Sequence, residues 1–237
     1  DALKTIEEIH NRGFATTVDI LGEHVQTESE AQIVRDEYSE LYEAIGNING
    51  DCTISLKITH IGLDISENLA MENLMVIVQK AREASRGITI DMESSELTDI
   101  TLNIYKKTVA EFNQTGTVLQ AYLFRSLDDL KNIDSPQLKL RICKGIYREP
   151  PEIAFQTKEE IRKNFITLVQ TLLNGQGTAQ IATHDPIIID SLENWIEENK
   201  IPPNRFEFQV LYGVPMGRKL EQLRDKGWTG RVYVPFG

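Results

Sequence analysis

Eight short β-branched runs alternate with longer amphipathic stretches along this chain, and that rhythm restricts the fold more than any other feature. The runs are Phe14–Leu21, Thr53–Thr59, Gly87–Met92, Thr117–Leu123, Leu138–Cys143, Ala179–Thr183, Phe206–Leu211 and Arg231–Pro235. Between them the spacing predicts helices over Glu28–Ile45, Glu67–Ala84, Glu96–Asn113, Leu127–Asn132, Lys158–Leu173, Asp185–Asn199 and Val214–Lys226. Parallel strands covered on both faces read as apolar runs, as ITIDM, VLQAYL and LRIC do. Thr27, Ser29 and Ser66 stand where helices need caps. Gly13, Gly87, Gly116, Gly177 and Gly230 come just ahead of strands, where a helix stops and the chain turns. Eight strands with seven intervening helices is the count of an α/β (β/α)8 barrel with its final helix absent. An open doubly wound sheet is the structural alternative, and short, evenly spread strands favour the barrel. No linker or low-complexity segment divides the chain, so residues 1–237 are expected to form a single domain.

Charge narrows the function classes. The formal net charge is −11, with no offsetting lysine- or arginine-rich run, which argues against a nucleic-acid partner. Cys52 and Cys143 form no CxxC, so neither a disulfide framework nor a zinc cluster is expected. His60 and His184 lack metal-ligand spacing, and no metal is expected. No apolar run approaches the ~18 residues that span a bilayer. The N-terminal DALKTIEEIHNRG reads as a polar helix rather than a signal peptide.

In a β/α barrel, functional groups gather at the C-terminal ends of the strands. Those ends place Lys57 after strand two, Asp91 and Glu93 after strand three, and Gln120 in strand four. They also place Arg141, Cys143, Lys144, Gly145 and Tyr147 at strand five, and Thr183, His184 and Asp185 at strand six. Glu207 and Gln209 belong to strand seven, Arg231 and Tyr233 to strand eight. Polar groups in apolar strands are costly unless paired or used. Singly, each has a plain reading. Lys57 can pair with Asp91 or Glu93, Arg141 can be an interior salt-bridge partner, and Gln120 can satisfy backbone groups. His184 and Asp185 can cap the next helix, the cap being the favoured role for Asp185. Tyr147 and Tyr233 can be rim aromatics, and Cys143 a small packing residue. Together they describe a site. Lys144 and His184 could meet phosphate oxygens as charge-assisted donors, beside a helix N-terminus and a glycine that admits close approach. GQGTAQ at Gly175–Gln180 is not a dinucleotide fingerprint, because it precedes a strand and lacks the third glycine.

The strings GFATTVDILGE, LKITHIGL, TIDMESS, VLQAYLFRS, LRICKGIY, IATHD, EFQVLYGV and RVYVPFG resemble, in order, the signature segments of the proline dehydrogenase family. KGIY departs from the commoner KGAY by one apolar residue. The resemblance implies a distorted TIM-like barrel with noncovalent FAD, oxidising L-proline to 1-pyrroline-5-carboxylate. Hydride would pass to flavin N5 and electrons onward to a membrane quinone. It implies a cytoplasmic protein with peripheral contact at the inner membrane. Carried over by motif, Arg141 lies near flavin N5 and Gln120 contacts the isoalloxazine. Cys143, Lys144, Gly145, Thr183, His184 and Gln209 fall in segments lining the cofactor. Lys57 pairs with the substrate carboxylate, while Asp91, Tyr147 and Tyr233 shape the substrate pocket. Arg141, Lys57 and Asp91 are the expected catalytic residues.

Elementary chemistry is consistent with these roles. Hydride loss from the carbon beside nitrogen needs a neutral amine, and positioning plus electrostatics supply much of the rate. A cation near N5 favours reduced flavin, and a lysine offers the point charge an amino-acid carboxylate needs. In this family a helix after strand eight carries two arginines that clamp that carboxylate. The sequence ends at Gly237, and the expectation is a chain that holds FAD but binds proline poorly. Two competing classes stand beside this one. A Schiff-base lyase or aldolase would use Lys57 or Lys144 as its nucleophile. A non-catalytic flavin-binding module would bind FAD without being reduced by proline.

Overall fold

The computed structural model describes residues 2–216 and 218–237. Its strands are β1 (Ala15–Ile20), β2 (Cys52–Leu56), β3 (Ile88–Ile90), β4 (Thr115–Gln120), β5 (Lys139–Cys143), β6 (Thr178–Ala182), β7 (Phe206–Leu211) and β8 (Gly230–Phe236). In sequence order they make a closed barrel. The α-helices are α1 (Ala2–Asn11), α2 (Glu28–Gly46), α3 (Glu67–Ala84), α4 (Thr98–Glu111), α5 (Ser126–Ile133), α6 (Lys158–Asn174), α7 (Pro186–Glu198) and α8 (Lys219–Asp225). The expected barrel is therefore present and the open sheet is not. The helix expected over Val214–Lys226 is shorter, and position 217 within that span lies outside the described residues, as does position 1 of the N-terminal helix. Among the described residues, no helix is long and apolar enough to cross a membrane.

Local chemistry sets the helix starts. Thr27 and Glu30 close a reciprocal capping box on α2, and the Ser66 hydroxyl accepts from Leu69 N–H at the head of α3. Thr157 caps α6 in the same way, and Asp185 caps α7 ahead of Pro186 at its first position.

The chain divides into two compact units. One holds the residues up to Asp91 with Asp99–Gly116 and Val232–Gly237, and the other holds Met92–Thr98 and Thr117–Arg231. In the first unit β1, β2 and β3 pair in parallel, with Val18, Ile54 and Ile88 in one register row and Asp19, Ser55 and Thr89 in the next. Strand side chains alternate with period two, so Lys57 and Asp91 continue the face of Ser55 and Thr89. In the second unit β4 to β7 pair in parallel. Leu119, Ile142, Ile181 and Phe208 form one buried apolar row. The alternate face carries Val118, Arg141, Gln180 and Glu207, then Gln120 beside Cys143 and Ala182 beside Gln209. Register alone thus collects the polar residues of four strands on one face.

Candidate active site

In the first unit the strand ends build a cluster around two carboxylates. Asp19 is 2% exposed and Asp91 8%. The Tyr233 hydroxyl lies 2.8 Å from Asp19 Oδ2 and 3.1 Å from Asp91 Oδ2. Ser55 donates to Asp91 Oδ1 at 2.7 Å. Lys57 Nζ stands 3.6 Å from Asp19 Oδ2, so one carboxylate oxygen holds both the lysine and the tyrosine. The sequence suggests Asp91 or Glu93 as the partner of Lys57; the structure gives Asp19 instead. Asp91 is engaged by Ser55 and Tyr233, and Glu93 offers its backbone carbonyl to Gln120 in the second unit. Tyr38, buried on α2, has its phenol pushed well above the usual value by burial and then by the charges of Asp19 and Asp91. His60, just beyond Lys57, is held down by burial and by the Lys57 charge, so it stays neutral near pH 7.

In the second unit a continuous polar network runs across β5, β7 and the start of β8. Arg231 grips Glu207 through two contacts, Nε to Oε1 at 2.8 Å and Nη2 to Oε2 at 3.1 Å. Gln209 donates to Glu207 Oε1 at 2.6 Å, and its own carbonyl accepts from Arg141 Nε at 2.8 Å. A charged pair this buried is tolerated only when its remaining valences are satisfied, and the glutamine does so here. The Gln120 side chain donates to the Glu93 backbone carbonyl at 2.8 Å, and the Gln120 backbone carbonyl accepts from the Ser126 hydroxyl. Gln120 therefore does satisfy backbone groups, in the way its plain reading holds. Arg141 donates to the neutral amide of Gln209, and Arg231 forms a buried salt bridge with Glu207.

The end of β6 is organised by Asp185. Its side chain accepts from Ile187 N–H, from Lys144 Nζ and from Arg162 Nε. Burial pushes this carboxyl up, but the bonds from Arg162 and Lys144, the Lys144 charge and the Ile187 amide outweigh it and hold it at about 2. Thr183, buried, accepts from Asp185 N–H. His184 Nε2 accepts from Leu211 N–H at 3.0 Å, and burial together with the Lys144 charge lowers the imidazole. His184 is thus a neutral donor through Nδ1, where the sequence suggests a charge-assisted one. The N-terminus of α7 also offers an anion less than expected, since Pro186 has no N–H and Asp185 takes that of Ile187. Arg162 on α6 is a cation that sequence reasoning missed.

Gly145 has a reason internal to the fold. Its φ is +111°, and a Cβ there would sit 2.3 Å from the Tyr122 ring. Cys143 is half-buried, with Sγ 3.8 Å from the Leu119 carbonyl. Tyr147 is half-buried on the loop after β5 in the second unit. Structure thus gathers Lys57, Asp91 and Tyr233 in the first unit. Gln120, Arg141, Cys143, Lys144, Gly145, Tyr147, Thr183, His184 and Gln209 belong to the second. The missed members, Asp19 and Arg162, left unequal signals. Asp19 is a carboxylate inside a wholly buried strand, which the cost of burying charge marks out. Arg162 is an ordinary cation on a helix rich in charge.

Comparison with known proteins decides the family. The proline dehydrogenase family model matches residues 2–237. The chain belongs to the proline dehydrogenase family. Proline dehydrogenase 1 of Bacillus subtilis subsp. natto is 40% identical over 237 residues, covering 100% of this chain and 78% of the relative. Proline dehydrogenase of Deinococcus radiodurans is 33% identical over 241 residues, covering 100% of this chain and 77% of that one. Among solved structures, proline utilization A of Bdellovibrio bacteriovorus superposes with a TM-score of 0.89 at 24% identity. That match covers 99% of this chain and 29% of the larger protein, so the present chain spans under a third of it. Members of this proline dehydrogenase family are flavin-dependent oxidoreductases. A donor-rich set of Gln120, Arg141, Lys144 and Arg162 fits a cofactor that carries phosphates and ring carbonyls.

Proposed function

We propose that this protein oxidises L-proline to 1-pyrroline-5-carboxylate with FAD as cofactor and a membrane quinone as the onward acceptor. In this reading residues 1–237 act as one FAD-binding domain, working in the cytoplasm with peripheral contact at the inner membrane. The supporting observation is the match to the family model over residues 2–237, joined to a carboxylate–lysine–tyrosine cluster at the strand ends. FAD, when bound, supplies the acceptor for the hydride that leaves the ring carbon beside nitrogen. Lys57 offers its ammonium to the proline carboxylate, as a compact charge on a stem already anchored by Asp19. Asp91 and Tyr233 contact the substrate from the cluster of Lys57, and Tyr147 is a substrate-binding residue by family resemblance. Gln120, Arg141, Cys143, Gly145, Thr183, His184 and Gln209 hold the cofactor, with Arg141 braced by Gln209 so that its cation stays in place. Lys144 and Arg162, both anchored by Asp185, meet the phosphates. The Schiff-base alternative is disfavoured, because Lys57 and Lys144 are each committed to a carboxylate.

A visible spectrum of the purified protein, taken before and after anaerobic L-proline, tests this. The expected result is a flavin band that bleaches. No band would remove the cofactor assignment, and a band that persists would leave only a flavin-binding module.

A further inference from the structure

Proline oxidation needs a proton acceptor as well as a hydride acceptor. Proline at neutral pH carries a secondary ammonium, and only the neutral amine has the lone pair that drives hydride from the adjacent carbon. A proton must leave nitrogen inside the site. The cluster of Lys57, Asp19, Asp91 and Tyr233 has a feature suited to it. A phenol has one hydrogen, yet the Tyr233 oxygen lies within hydrogen-bond distance of two carboxylates. When that hydrogen points to Asp19, the 3.1 Å contact to Asp91 Oδ2 becomes a hydrogen bond only once Asp91 carries a proton. Ser55 donates to Asp91 Oδ1, and the oxygen that faces the Tyr233 hydroxyl is Oδ2.

We propose that Asp19 is a positioning residue that orients the Tyr233 hydroxyl so that Asp91 can receive and hold the proton of the bound secondary ammonium. In this step the N–H bond breaks, its electron pair stays on nitrogen, and an O–H bond forms on Asp91. That new O–H donates to the Tyr233 oxygen, whose own O–H donates to Asp19. No oxidant or co-reactant is consumed.

The surrounding groups are consistent with the step. Lys57 pairs with Asp19, and Tyr233 joins Asp19 to Asp91, so the carboxylates of the cluster attract a cationic amine while Lys57 attends to the carboxylate. Tyr38, packed from α2, keeps its proton because burial and the two aspartates push it upward. His60 beside Lys57 is held neutral by burial and by that lysine, so it adds no competing cation near pH 7. On this arrangement the pocket accepts the zwitterion of proline and discharges it in place. Asp19 was absent from every expectation drawn from the sequence.

The inference rests on the proposed proline oxidation, and the pH dependence of kcat/KM separates the two. Wild-type protein bearing FAD is compared with Asp19→Asn and Tyr233→Phe between pH 6 and 10. The expected result is a loss of about 100-fold near neutrality, the low end of what general-base catalysis contributes. That loss should fall mainly on kcat and be recovered as pH rises toward the amine's own pKa, where substrate arrives already deprotonated. A ring-fluorinated proline, whose amine is less basic, should narrow the gap. A loss of equal size at every pH, or no loss, would overturn the assignment. If Asp19→Asn does not fold, Tyr233→Phe alone decides, since it removes the bridging oxygen without altering charge. Wild-type flavin that fails to bleach with proline would instead sink the underlying reading.

Discussion

Asp185 permits a clean separation of two effects in one residue. It caps α7 and it also anchors Lys144 and Arg162. Asparagine caps a helix about as well as aspartate, so Asp185→Asn keeps the bond to Ile187 N–H and removes only the charge. The carboxyl is held at about 2 against an ordinary 3.8. That gap corresponds to about 2 kcal/mol of native-state stabilisation at neutral pH. The Lys144 and Arg162 side chains are 37% and 27% exposed, so solvent screening trims the expected loss to about 1–2 kcal/mol. In a domain of this size that lowers Tm by about 2–8 °C. The folded-state pKa lies below the unfolded one. The contribution is therefore complete above the ordinary aspartate value and fades as pH falls from about 4 through about 2. Thermal unfolding of both proteins at pH 7 and at pH 3 reads this directly. Equal Tm values at pH 7, or a gap that widens on acidification, would refute the assignment of Asp185 as a charge anchor.

Two further predictions concern the site. Gly145→Ala should cost about 1–3 kcal/mol, because a Cβ would strike the Tyr122 ring at a φ of +111°. A lowered Tm together with poorer flavin retention would bear this out, and an unchanged Tm would not. Lys57→Met should lower kcat/KM for proline about 10- to 100-fold, the worth of one charged hydrogen bond, with the flavin band unaltered. Unchanged kcat/KM would remove Lys57 from substrate binding.

Much of the fold is legible in the sequence. Phe206–Leu211 and Glu67–Ala84 have the bounds the pattern predicts, because apolar–polar alternation and a Ser66 cap are local signals. The β2 strand stops at Leu56, two residues short of the ITH segment, because residues 59–61 turn into a 3-10 helix that no pattern of apolar residues announces. Sequence position also placed Lys57 and Asp91 just past strand ends, whereas Arg141 and Tyr233 lie within β5 and β8 rather than at their ends.

Partnership was a different matter. Lys57 stands two residues from Ser55 and far from Asp19 in sequence, yet the β1–β2 register sets Asp19 opposite Ser55 and so brings the carboxylate under the lysine. The same holds for Asp185, whose place as a cap follows from the Pro186 beside it, whereas its hold on Lys144 and Arg162 follows from the β5–β6 pairing and the packing of α6 on α7. The amino-acid sequence by itself determined a β/α barrel of eight strands and the kinds of groups at their ends, because periodicity and caps are written within a few residues. Tertiary structure alone decided which carboxylate faces which cation, why His184 is neutral, and that Tyr233 bridges Asp19 and Asp91. Those are long-range contacts, fixed by strand register and burial rather than by neighbours in the chain.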